Sequence, residues 1–210
     1  MDNNQPEARQ RILNASIRLF ARKGYAGTSV RDIVREAGIN IAMISYYFKG
    51  KKGILEEIMS SLHRDFNNLM NLDSGIMSSD KAILDKLESA LIFFSDHPDE
   101  VSILLNEVGR DDEGLRPIKD LLQDKLREIS HYFVQYTGLN EQDTLTQISL
   151  YVEMWFGMIF SGYLLNLKDF FTQELSLSPE ELEKVRRDTI LKITRKLLSQ
   201  KETLLSEKYP

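Results

Sequence analysis

A chain of 210 residues with 42% hydrophobic and 28% charged residues has the composition of an ordinary folded protein, long enough for one large domain or a small domain joined to a larger one. It contains no cysteine, which excludes disulfides and thiolate metal sites and is compatible with a reducing cytoplasm. The net charge of −5 hides an asymmetry: Met1 to Lys52 holds ten Lys and Arg against four Asp and Glu, net +6, and the remainder holds 17 against 28, net −11, which either places nucleic acid at one end only or is ordinary variation of charge along the chain.

The N-terminal MDNNQPEARQR lacks the apolar run of a signal peptide. Pro6 suits the first turn of a helix in which Ile12, Ser16, Leu19 and Phe20 form an inward stripe up to Lys23, with Gly24 ending it. Next, Val30, Ile33, Val34 and Ala37 recur at i, i+3, i+4 and i+7; Ser29 and Asp32 have capping-box spacing, and Gly38 suits a left-handed C-terminal residue. Asn40 can cap a third helix with Ile44 and Phe48 facing inward, leaving Ile41, Ala42, Ser45, Tyr46 and Tyr47 on other faces. Two short helices across a glycine turn make a helix-turn-helix, whose second helix fits the major groove. A fourth helix, Lys51 to Asn71, carries the stripe Ile54, Leu55, Ile58, Leu62, Phe66 and Leu69, and a small head should depend on it for core.

Beyond the polar NLDSGIMSSD the pattern stays helical. Leu84, Leu87, Leu91 and Phe94 mark a fifth helix ending near Asp96; Pro98 opens a sixth with Val101, Leu104, Leu105 and Val108 inward and Gly109 at its end. A seventh runs from Ile118 to Gly138, an eighth from Asn140 with Asp143 as its capping pair through Leu167, and a ninth follows Ser178, Pro179 and Glu181 with Leu182, Val185, Ile190, Ile193 and Leu197. The stretch YVEMWFGMIFSGYLL is short for a bilayer span and contains Glu153, so a buried helix is expected and no membrane partner. It is apolar on nearly every side, and Gly157 and Ser161 permit close helix approach, so that with the ninth helix it forms either a four-helix dimer seam or internal core.

GYAGTSVRDIVREAGINIAMISYYFKGK, with ILNASIRLFARKGY upstream, resembles the DNA-binding signature of the TetR family of bacterial transcriptional regulators. The resemblance covers about the first quarter of the chain and departs from the usual family tyrosine at Ser45. It implies an all-α fold of about nine helices: a three-helix head over residues 1–52 and, over 53–210, a helical bundle that dimerises and binds an effector. The function implied is that of a sequence-specific cytoplasmic repressor, released from a palindromic operator by a small molecule. An effector-independent DNA-binding protein, acting by chromosomal placement or protein contacts, is the alternative.

By the same resemblance Thr28, Tyr47 and Lys51 match positions that touch phosphate, while Asn40, Ile41, Ala42, Ser45 and Tyr46 match positions that face the groove. Hydroxyl, phenol and ammonium are suitable phosphate donors, and a helix N-terminus favours an anion. Asn40 stands either as an N-cap or as a reader of an adenine edge, and Ile41 can meet a thymine methyl. Lys49 and Lys52 are either phosphate contacts or solvated charges. Phe93, Phe94, Leu104, Glu107, Phe133, Trp155, Phe156 and Met158 are either core or the lining of a pocket for an apolar or cationic small molecule, with Asn106 and His131 as further polar groups. His63, His97 and His131 lack metal-ligand spacing, and there is neither a nucleophile-elbow serine nor a glycine-rich phosphate loop, so no enzyme, metal or cofactor is expected.

Overall fold

Short-range signals in the first fifty residues produce the helices they specify. Ser29 is the N-cap of the second helix: its hydroxyl accepts the Asp32 N–H, and the Asp32 carboxylate accepts the Ser29 N–H at 3.0 Å. Gly38 closes that helix in the left-handed region, φ 62°, with its N–H donated to the Val34 carbonyl. Asn40 caps the third helix by accepting the Ala42 N–H at 2.9 Å.

The computed structural model describes residues 5–69, 79–108, 123, 127, 153–154, 157–161 and 167–199. Among them are no strand, a helical segment at 157–161, and eight helices with both ends described: α1 (Gln5–Lys23), α2 (Val30–Ala37), α3 (Ile41–Phe48), α4 (Lys51–Leu69), α5 (Asp80–Asp96), α6 (Pro98–Val108), α7 (Leu167–Leu175) and α8 (Pro179–Ser199). The fold is all-helical with an N-terminal helix-turn-helix, as expected. The seventh and eighth predicted helices fall mostly outside the described residues. α7 was not among the predicted elements.

Contacts divide the chain into two compact units, one comprising residues 1–67 and 97–121, the other 68–96 and 122–210. In the first, Ile12, Leu19 and Phe20 of α1 meet Ile33 of α2, Ile44 and Phe48 of α3, Ile54, Leu55, Ile58 and Met59 of α4, and Ile103 of α6. A three-helix head of this size has little core of its own. Each further Leu, Ile or Met of α4 adds about 1.5–3 kcal/mol of burial, so α4 completes the core, as its stripe implies. In α6 the inward residues are Val101 and Ile103, with Leu104 and Leu105 only half-buried, because the helix turns Ile103 into the α1 core.

Within the second unit α8 packs on α5 and α7. The predicted stripe of α5 is rotated: Ile83, Ala90, Leu91 and Phe93 are buried, whereas Leu84, Leu87 and Phe94 are half-buried. The N-terminus of α8 forms the expected capping box, the Glu181 carboxylate accepting the Ser178 N–H at 2.8 Å and the Ser178 hydroxyl accepting the Glu181 N–H at 3.2 Å.

Candidate nucleic-acid interface

α3 sorts its side chains by face. Ile44 and Phe48 are buried in the core, while Ile41 (53% exposed), Ala42, Ser45 and Tyr46 (73%) lie outward. Those four occupy i, i+1, i+4 and i+5, a single stripe along an eight-residue helix. An isoleucine and a tyrosine exposed to this degree contribute little to folding, and an apolar group and a phenol beside a hydroxyl form a surface able to meet base edges. Tyr46 is held edge-on to Tyr47 at 4.9 Å, and Tyr47 is half-buried against the core. The Asn40 oxygen is committed to the cap, which leaves its NH₂ as the part able to donate to a base.

Two residues matched to phosphate sit differently from the rest. Thr28 is buried, and its hydroxyl donates inward to the carbonyls of Gly24 (2.9 Å) and Leu19 (3.3 Å), so in this conformation it fixes the α1–α2 loop. Lys51 is half-buried; its ammonium donates to the carbonyls of Tyr25 and Thr28, each at 2.8 Å, and lies 4.1 Å from the Tyr25 ring centroid. Two of its three N–H donors are therefore engaged within the protein. Lys49 and Lys52 are exposed. Lys49 ends α3 in the left-handed region, φ 58°, with its N–H donated to the Ser45 carbonyl, and Gly50 follows at φ 118°. Exposed Arg22, Lys23, Arg31 and Arg35 add positive charge on α1 and α2. The Ser29 hydroxyl and N–H, with weaker help from Lys23 and Arg35, hold the Asp32 carboxyl below its ordinary range, so the capping anion stays ionised.

Two residues that fix this geometry carry no local signal in the sequence. The Arg11 guanidinium, on α1, donates to the carbonyls of Ala37 (3.0 Å from Nε) and Gly38 (2.6 Å from Nη2) at the end of α2. Gly53, in the first turn of α4, lies so close to the Phe48 carbonyl that a Cβ there would stand 1.8 Å from the oxygen. Arg9 pairs with Glu57 of α4 at 2.9 Å and lies 5.3 Å from the Phe48 ring centroid.

The proposed effector residues are divided between the two units. Leu104 and the buried Glu107 belong to the first, where Leu104 packs against the α1 core. Phe93, Phe94 and Met158 belong to the second, where Phe94 meets Phe93 at 5.9 Å and Phe160 at 4.9 Å. Phe133, Trp155 and Phe156 lie outside the described residues, as does His131. Among the described residues no His, Asp and Glu cluster could hold a metal ion, and no helix is long and apolar enough to cross a membrane.

Residues 12–58 match the family model of bacterial regulatory proteins, tetR family. Over 141 residues the chain is 28% identical to the probable HTH-type transcriptional regulator YttP of Bacillus subtilis, covering 66% of this chain and 68% of that protein. It is 26% identical over 153 residues to the biofilm operon icaADBC HTH-type negative transcriptional regulator IcaR of Staphylococcus aureus, covering 70% and 82%. The fold is shared with SCO3833 of Streptomyces coelicolor, a TetR-family regulator, at a TM-score of 0.63 and 17% identity over 87% of this chain and 88% of that one.

Proposed function

We propose that this chain, which belongs through residues 12–58 to the TetR family of bacterial transcriptional regulators and is a DNA-binding regulator of that family, represses transcription as a homodimer on a palindromic operator and leaves it when a small molecule binds. The observation that carries the DNA reading is the outward stripe Ile41, Ala42, Ser45 and Tyr46 on a helix whose opposite face is locked by Ile44 and Phe48. Residues 1–52 form the reading domain in this proposal, and 53–210 the dimerisation and effector domain. IcaR, a negative regulator by name, supports repression.

Reading a palindrome requires two heads about one helical turn apart, ~34–36 Å. The second unit offers surface for pairing: Val185 (48% exposed) and Ile193 (38%) lie eight apart along α8, and a Cβ added at Gly157 would have no atom within 4 Å. Arg186 donates to the Ile159 carbonyl at 3.0 Å, which sets α8 beside the helical segment 157–161. These two segments form the proposed seam. Tyr47 and the exposed Lys49 and Lys52 supply phosphate contacts, Asn40, Ile41, Ala42, Ser45 and Tyr46 read bases, and Thr28 acts through the loop it fixes. The effector is an apolar or cationic molecule held among the aromatic residues of the second domain, and the protein works in the cytoplasm.

Selection of duplexes from a random pool by the purified protein tests this, followed by fluorescence anisotropy on the selected and scrambled sequences across a salt series. A two-fold symmetric winning sequence and a steep salt dependence are expected. Equal affinity for selected and scrambled DNA at low salt would refute it. Screening small molecules for release of the selected duplex then tests the effector.

A further inference from the structure

We infer that Arg11 is a positioning residue for the recognition helix, governing base discrimination from α1 without touching DNA. The inference rests on the DNA-reading function above. Arg11 lies 26 and 27 residues before the carbonyls it binds, and those carbonyls belong to the last residue of α2 and its cap, where the helix leaves carbonyls without intrahelical partners. Its Nε and Nη2 both donate to Ala37, and Nη2 also donates to Gly38. A planar guanidinium that binds neighbouring carbonyls fixes the orientation of their peptide planes as well as their distance. The positive charge also sits at the negative end of the α2 dipole.

Those planes begin the turn to α3. Only Gly38, Ile39 and Asn40 separate the two helices, and Gly38 adopts φ 62°. The approach is close: a Cβ at Gly38 would lie 3.0 Å from Arg11 Nη2. Arg11 therefore ties the turn to α1, whose Ile12, Leu19 and Phe20 anchor the core from which Ile44 and Phe48 hold α3. Core packing fixes which face of α3 is buried. The guanidinium fixes the turn through which α3 is launched, and with it the aim of Ile41 and Ala42 in its first turn.

Arg11→Lys and Arg11→Gln separate this role from a direct phosphate contact. Lysine keeps the charge and loses the planar fork; glutamine keeps an amide donor and loses the charge. Anisotropy on the selected and scrambled duplexes gives the affinity ratio and the salt slope. In both variants the ratio is expected to fall roughly three- to tenfold, the change corresponding to one or two partly exposed charged hydrogen bonds, with scrambled-DNA affinity and salt slope unchanged. Amide exchange in residues 39–42 of the free protein should accelerate in both, a readout that needs no DNA. If Arg11→Gln weakens both duplexes equally and lowers the slope by ~1 while Arg11→Lys behaves as the wild type, Arg11 is a phosphate contact and the inference is overturned. An unchanged ratio and unchanged exchange in both variants also overturns it. A wild-type protein that selects no duplex refutes the regulator function instead, a result distinct from either.

Discussion

Replacing Gly53 by alanine should destabilise the protein, although helix propensity alone predicts the reverse. The residue lies in the first turn of α4, where Ala is favoured over Gly by about 1 kcal/mol. Here the added methyl would stand 1.8 Å from the Phe48 carbonyl oxygen and 2.9 Å from its carbon, both backbone atoms unable to rotate away. Reaching even the 3.0 Å lower limit of Cβ contacts requires the end of α3 and the start of α4 to separate by about 1.2 Å. Both are anchored in one core by Phe48, Ile54 and Leu55. Forcing extra bulk into such a contact costs about 1–3 kcal/mol, more than propensity returns. A net loss of about 1 kcal/mol lowers the melting midpoint by roughly 2–4 °C in a chain of this length. Thermal unfolding followed by circular dichroism measures it, with exposed Lys52→Ala as the neutral neighbour. The ratio of selected to scrambled duplex affinity should fall as well, since the displaced element is α3, which carries the proposed base-reading stripe. A Gly53→Ala variant that melts higher than the wild type would refute the steric argument.

Lys51→Ala should lower stability by about 1–2 kcal/mol, because two ammonium–carbonyl bonds and the Tyr25 ring contact are lost; unchanged urea unfolding would show that this clamp is absent in solution. Asp32, with its folded-state pKa depressed, contributes stability that is complete above its ordinary value of 3.8 and is lost as pH falls through the lower folded value. Asp32→Asn should accordingly flatten the pH dependence of unfolding below about 4, and an identical acid profile in the variant would count against the capping box. Gly157→Glu should shift sedimentation from dimer to monomer if that face forms the seam, and an intact dimer would move the seam elsewhere.

What could be read from the sequence is what is local. The Ser29–Asp32 and Ser178–Glu181 boxes, the Asn40 cap and the left-handed Gly38 depend on neighbours three or four residues away, and all form as spaced. The division of α3 into Ile44 and Phe48 inside and Ile41 and Tyr46 outside follows from helical period alone. The rotation of α5 does not: apolar residues at Ile83, Leu84, Leu87 and from Ala90 to Phe94 allow more than one buried face, and the packed partner chooses. α7 is equally unmarked, because Phe170, Phe171 and Leu175 remain exposed and form no core stripe. Lys51 and Thr28 illustrate the same limit at the candidate interface. A hydroxyl and an ammonium are chemically fit for phosphate, but the carbonyls of Tyr25, Gly24 and Leu19 engage them first, a competition visible only once the loop has closed.

Lys49 ends α3 in a left-handed backbone conformation that glycine or asparagine tolerates better, at a cost of about 1–2 kcal/mol for most other side chains. A protein shaped for robustness alone would place one of those residues there. An exposed cation at the exit of α3 sets that backbone cost against the proposed phosphate contact, whose release of counterions would add to affinity for any duplex. Lys49→Asn should therefore raise the melting midpoint and, where Lys49 contacts phosphate, weaken binding to every duplex alike.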